Sequence, residues 1–150
     1  MDKNILIIGL NSELAQDTIK ELKQSSWNIY ATSRQIGMMD EKVREFHLDV
    51  TNEMDFIHLK EKFQEIKFDV ILNFAGIAIA GAVEELDELE LKKQFDVNYF
   101  GLLRIIKYFS PKSLLKVCAL RLLNTRYSSR KAFKCTGNFI KLPSAFCLAL

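Results

Sequence analysis

Gly9 is the first residue whose type and place could do chemistry. It directly follows the apolar run Lys3 to Ile8, and Asn11 and Ser12 come just after it. A residue without Cβ lets the backbone approach a phosphate closely. A helix opening at Ser12 would aim unpaired N–H groups and a positive dipole end at the same place, and Asn11 and Ser12 add side-chain donors. Many parallel sheets carry a glycine after the first strand, so this turn alone says anion site and no more. Further along stand Arg34, the pair Asp49-Val50, the run Asn73-Phe74-Ala75-Gly76 and the triplet Asp96-Val97-Asn98. Tyr127 and Lys131 lie four residues apart, as do Tyr108 and Lys112, a spacing that puts both side chains on one face of a helix. Pro111 ends a helix ahead of Lys112, so Tyr108 and Lys112 do not share one.

These residues need elements to position them, and the hydrophobic pattern supplies a consistent set. Lys3 to Ile8 is a short β-branched run of the kind that forms a buried parallel strand. A helix capped by Ser12 is expected through about Lys23, with Leu14, Ala15, Ile19 and Leu22 on one face. Asn28 to Ser33 reads as a second strand. Val43 to Leu48 alternates apolar and polar residues and reads as a strand nearer a sheet edge. Met54 to Ile66 has Phe56, Leu59, Phe63 and Ile66 at helical spacing, and Asp69 to Asn73 is another buried strand. A long helix is expected from about Leu89 to Phe109, apolar nearly all round in its second half. Lys116 to Leu123 reads as a fifth strand. Strands alternating with helices give an open parallel sheet covered on both faces. In such sheets a ligand sits at the carboxyl ends of the strands, where the strand order reverses. Gly9, Arg34, Asp49 and Asn73 all fall at such ends.

Taken together, these residues resemble the nucleotide-binding portion of the short-chain dehydrogenase/reductase family. The family carries Thr-Gly-x-x-x-Gly-x-Gly at the first turn, where this chain has Ile8-Gly9-Leu10-Asn11-Ser12-Glu13-Leu14-Ala15. The first glycine stands, Ala15 keeps a small residue at the third position, and Glu13 replaces the second. Glu13 puts a carboxylate in the first helical turn, which the dipole favours and a bound phosphate would not. Asp49-Val50 resembles the family's pair beside the adenine. Asn73-Phe74-Ala75-Gly76 resembles its Asn-Asn-Ala-Gly after strand four, and Asp96-Val97-Asn98 its mid-helix Asn, 25 residues beyond Asn73.

The resemblance implies a Rossmann-type doubly wound parallel sheet, incomplete at about five strands. It also implies an NADP or NAD cofactor held by Gly9, Asn11, Ser12, Leu14, Arg34, Asp49, Val50, Asn73, Ala75 and Gly76. NAD-preferring members have an acidic residue where Arg34 stands, and a basic one can pair with the 2′-phosphate of NADP. The activity implied is an NADP-preferring oxidation or reduction of a small carbonyl/alcohol pair. Asn98, Tyr127 and Lys131 are its candidate catalytic residues, the Tyr hydroxyl passing a proton and the Lys lowering its pKa.

The resemblance weakens after Pro111. Tyr127 follows Asn98 by 29 residues, where the family needs about 40. No Ser lies between Lys116 and Tyr127, and Cys118 to Leu123 stands in place of the family's Gly-rich stretch. All 19 acidic residues fall between Asp2 and Asp96, while Lys112, Lys116, Arg121, Arg126, Arg130, Lys131, Lys134 and Lys141 follow with no acid among them. Two parts are therefore expected: a nucleotide-binding domain over 1–110 and a basic, atypical segment over 111–150. The second is expected to be truncated relative to the family, by frameshift or degeneration. A catalytically inactive nucleotide-binding or regulatory module, or a non-functional fragment, is the alternative to an enzyme.

Other function classes find little support. The three cysteines form no Cys-x-x-Cys pair, so neither a metal site nor a disulfide framework is expected. No run approaches the roughly 18 apolar residues of a membrane span, and no leader pattern opens the chain, so a cytoplasmic protein is expected. The basic tail lacks the aromatic interleaving of a nucleic-acid site. The apolar girth of the 89–109 helix points to a homo-oligomer through it.

Overall fold

β1 (Lys3–Ile8) is buried on both faces, and the rest of the molecule is arranged around it. The computed structural model describes residues 3–37, 40–79, 84, 86–109 and 117–119, the last three by backbone only. β2 (Trp27–Ser33), β3 (Val43–His47), β4 (Val70–Asn73) and β5 (Val117–Ala119) complete one parallel sheet in the order β3-β2-β1-β4-β5. The order reverses between β1 and β4, which leaves a crevice at their carboxyl ends. β1 pairs with β2 from Lys3↔Trp27 to Ile8↔Thr32 and with β4 from Ile5↔Val70 to Ile8↔Asn73. β3 occupies an edge, as its alternation predicts. The described part of β5 is shorter than the expected Lys116 to Leu123.

Strand alternation splits the core in two. Ile5, Ile7, Ile29, Ala31 and Leu72 face α1 (Glu13–Leu22), packing with Ala15, Ile19 and Leu22. Leu6, Ile8, Tyr30 and Ile71 face the opposite side, under α2 (Glu53–Lys62) and α4 (Gly101–Phe109). There Phe56, Phe63, Phe68 and Phe109 form an aromatic cluster, with Phe63 edge-on to Phe68 at 5.0 Å.

Three expectations change in detail. On α1 the buried stripe is Ala15, Thr18, Ile19 and Leu22, and Leu14 is only half-buried. Thr18 tolerates burial because its hydroxyl donates to the Leu14 carbonyl at 2.8 Å. α2 stops at Lys62 rather than Ile66; a tight turn from Phe63 to Ile66 returns Ile66 to the same core. The long helix is not continuous: α3 (Glu88–Phe95) and α4 are joined by a π-turn over Asp96–Phe100. Within it the Gly101 N–H donates to the carbonyl of Asp96. Gly101 itself lies so close to Val50 that a Cβ there would meet the Val50 side chain at 3.1 Å. Among the described residues no helix is long and apolar enough to cross a membrane.

Candidate functional site

The crevice at the strand ends is a cleft of about 1070 Å³, at the upper end of the range for small-molecule sites. Its walls are the turns after β1, β2, β3 and β4, with α3 and the π-turn closing one side. Of the residues singled out from sequence, Gly9, Asn11, Ser12, Arg34, Asp49, Val50, Ala75 and Gly76 line it. Leu14, Asn73 and Asn98 are not part of that lining. Tyr127 and Lys131 lie outside the described residues, as does most of the basic segment.

The β1 turn depends on its glycine for two reasons. Gly9 has φ +88°, in the left-handed region that favours glycine, and a Cβ there would lie 2.6 Å from the backbone N of Ala75. Its N–H and that of Leu10 both donate to the Thr32 carbonyl, at 3.0 and 2.9 Å, which ties the turn to β2. Ser12 caps α1 by accepting from Ala15 N–H at 3.1 Å. The N–H groups of Glu13 and Leu14 have no partner within the helix. Asn11 and Ser12, just ahead of them, are part of the cleft wall. Glu13 is exposed and outside the lining, so its carboxylate does not close the site.

On the β2–β3 side Arg34 is exposed on the cleft rim. Glu45, on β3, ties the turn that carries Arg34: it accepts from the Ser33 hydroxyl at 3.0 Å and from Gly37 N–H at 3.1 Å. Asp49 folds back on Thr51, accepting from its N–H at 2.9 Å and its hydroxyl at 2.7 Å. Burial opposes the charged form of Asp49, but the two Thr51 donors, with Arg34 and His47 nearby, outweigh it and hold the carboxyl below its ordinary value. Asp55 braces the same turn by accepting from Asp49 N–H at 2.9 Å, and it lies 3.2 Å from His47 Nδ1.

The β4 side is held by side chains reaching from the helix. Asn73, nearly buried, accepts from Ala75 N–H at 3.0 Å. Asn98 in the π-turn grips one residue twice: its Oδ1 accepts from Ile77 N–H at 2.9 Å and its Nδ2 donates to the Ile77 carbonyl at 2.8 Å. Gln94, one turn earlier, accepts from Ile79 N–H at 2.8 Å. Arg104 crosses between walls, donating to Asp96 Oδ1 at 2.8 Å and to the Val50 carbonyl at 3.0 Å. Tyr108 is engaged elsewhere, its hydroxyl 2.6 Å from Glu53.

Sequence reasoning missed Glu45, Thr51, Gln94 and Arg104. Only Thr51 carried a local signal, since an Asp two residues ahead of a Thr and just before a helix favours this kind of turn. Among the described residues no group of His, Cys, Asp and Glu could hold a metal ion. What the cleft offers is backbone N–H groups for an anion, exposed cations in Arg34, Lys92 and Lys93, and apolar walls at Ile8, Val50 and Phe100.

Known proteins share this architecture. A family model described as enoyl-(acyl carrier protein) reductase matches residues 14–137. A 3-ketodihydrosphingosine reductase from Bacteroides thetaiotaomicron is 33% identical over 109 residues, covering 71% of this chain and 40% of that protein. A short-chain dehydrogenase from Leptospira borgpetersenii, solved with bound NAD+, superposes with a TM-score of 0.66 at 18% identity, over 73% of this chain and 45% of that one. ElxO, solved with NADP bound, superposes with a TM-score of 0.64 at 25% identity, over 72% and 49%. The chain thus spans less than half the length of each of these three proteins.

Proposed function

The chain belongs to the short-chain dehydrogenase/reductase family, and from that membership and the cleft we propose that it binds NADP(H), in preference to NAD(H), for the interconversion of a small carbonyl/alcohol pair. The observation that carries the reading is Arg34, exposed on the cleft rim at the carboxyl end of β2, where an acidic residue would instead accept from a ribose 2′-hydroxyl. A guanidinium there pairs with a 2′-phosphate through charge-assisted hydrogen bonds. The N-terminal turn of α1 receives the pyrophosphate on the N–H groups of Glu13 and Leu14. Asp49 and Val50 flank the adenine, and Ala75 and Gly76 border the path toward the nicotinamide. ElxO, with NADP bound, fits this reading, as the NAD+-bound dehydrogenase fits the broader one.

The nicotinamide ring supplies the hydride when bound; this chain's own residues orient it and handle the proton. Asn98 keeps the Ile77 segment against the cleft by its paired hydrogen bonds. By the family resemblance Tyr127 and Lys131 are the proton-delivering pair. A second reading, a nucleotide-binding module without turnover, is favoured by one feature: Cys118 to Leu123 carries no Ser where the family's catalytic one stands. Leu89, Tyr99 and Leu103, 44–71% exposed along α3, the π-turn and α4 and outside the cleft lining, are proposed as part of the face that a second copy covers.

Titration with NADPH and NADH, followed by nicotinamide fluorescence, tests the reading. Saturable binding that favours NADPH and loses that preference in Arg34→Ala is the expected result. Equal affinity for both nucleotides overturns the NADP assignment. Binding without oxidation or reduction of any carbonyl or alcohol screened favours the second reading.

A further inference from the structure

The turn that carries Arg34 is held at both ends by a single carboxylate. Ser33 opens the turn and Gly37 closes it, and Glu45 accepts from the Ser33 hydroxyl at 3.0 Å and from Gly37 N–H at 3.1 Å. The Ser33 hydroxyl also lies 2.5 Å from the Gln35 carbonyl, so its one hydrogen serves two acceptors that both pull the turn inward. Glu45 comes from β3, opposite Ala31 of β2, and is half-buried. It is not part of the cleft lining, whereas Ser33 and Arg34 are. Arg34 therefore sits on a short loop cross-braced from behind by a residue that a ligand in the cleft does not meet.

We propose that Glu45 is a positioning residue that sets the preference for NADPH over NADH, by holding the Ser33–Gly37 turn so that Arg34 stays poised on the cleft rim. This rests on the NADP(H) reading above and deepens it. A long exposed arginine on a loose loop must be ordered before it can bind a phosphate, and that ordering weakens the contact. A turn fixed in advance removes the backbone share of the cost. The Glu45 carboxylate also opposes the incoming phosphate, but it already accepts from two donors and its field is screened at the open rim. The ordering effect therefore dominates. NADH lacks the 2′-phosphate and draws little from Arg34, so loss of the brace falls on NADPH alone. A residue that merely supported the fold would weaken both nucleotides together.

The test uses the full chain with Glu45→Ala and Glu45→Gln, checked for native circular dichroism. Dissociation constants for NADPH and NADH are measured by nicotinamide fluorescence, and amide exchange at Gly37 is followed without nucleotide. Glu45→Ala is expected to weaken NADPH by about tenfold and NADH by less than about twofold, with faster exchange at Gly37. Glu45→Gln, which keeps one acceptor, falls between wild type and Glu45→Ala; if Glu45→Ala does not fold, Glu45→Gln alone carries the comparison. Equal losses for the two nucleotides, no change in their ratio, or a gain in NADPH affinity overturns the proposal. If the unaltered chain binds the two equally or binds neither, the NADP(H) reading fails and takes this inference with it. Gly37 exchange in the variants still reports whether Glu45 holds the turn.

Discussion

The two walls of the cleft are held by contacts of very different range. On the side of β1, β2 and β3, most side-chain caps are local, Ser12 on Ala15, Ser33 on Gln35, Asp49 on Thr51, and the longer ties, from Thr32 to Gly9 and Leu10 and from Glu45 to Ser33 and Gly37, join neighbouring strands. On the side of β4 and the π-turn, side chains reach far along the chain. Gln94 holds Ile79 across 15 positions, Asn98 holds Ile77 across 21, and Arg104 holds Val50 across 54. The first wall needs its local caps and the pairing of β1, β2 and β3 that brings Thr32 and Glu45 to its turns. The second exists only if the whole sheet and the broken helix have assembled, because each contact needs a register set elsewhere. Gly9 joins the two, its missing Cβ leaving room for the Ala75 backbone.

Breaking that junction has the largest expected effect. Gly9→Val forces a β-branched residue to φ +88° and drives its Cβ toward the Ala75 backbone. The combined strain and overpacking should destabilise the fold by about 3 kcal/mol or more, read as a lower midpoint in urea unfolding. A loss under about 1 kcal/mol would mean the two walls are not joined there.

Asn98→Leu strikes the long-range wall alone. It removes both partners of Ile77 and should cost about 2 kcal/mol, the charge for leaving partly buried backbone groups unpaired. Amides near Ile77 and Ile79 should exchange faster while those after β1 stay protected. Loosening of both walls together would erase the distinction between them.

Arg104→Met keeps the aliphatic stem and removes the bridge from the π-turn to Val50. A loss of about 1 kcal/mol is expected, since the ion pair with Asp96 is partly exposed and screened. Faster exchange at Thr51 and Gly101 is the local signature. An unchanged exchange pattern would make the bridge a surface decoration.

The smallest effect concerns the local wall. The Asp49 carboxyl is held below 3.8, its ordinary value, so its contribution to stability is present above that pH and lost as pH falls through the folded-state value. The stability gap between wild type and Asp49→Asn should be widest near neutral pH and close in acid. At this partly exposed site the gap should stay below about 1 kcal/mol. A gap that widened on acidification would reverse the assignment.

Legibility from sequence follows the same division. β1 and β4 announce themselves as apolar runs because both of their faces are buried, and β3 announces its edge position by alternation. The Gly9 turn is visible because a glycine ends an apolar run and the capping Ser12 follows at once, and the Asp49 turn because its Thr51 partner lies two residues on. The π-turn was not: Asp96 to Phe100 has the same helical spacing as its flanks, and only the family resemblance singles out Asn98. Gln94 and Arg104 look like ordinary polar residues of a surface helix, since the backbone groups they hold are distant in sequence. Glu45 reads as the polar half of an alternating edge strand. Thr18 was missed because a hydroxyl that bonds its own helix backbone can be buried like an apolar residue.

Fragments without nicotinamide test most directly whether this cleft receives an adenosine carrying a 2′-phosphate. Adenosine 2′,5′-bisphosphate and adenosine 5′-monophosphate would be titrated calorimetrically into the folded chain and into Arg34→Ala. The bisphosphate is expected to bind at least about tenfold more tightly, and Arg34→Ala to remove the gap. Equal affinities in the unaltered chain, or no binding of either by a chain with native circular dichroism, would contradict it.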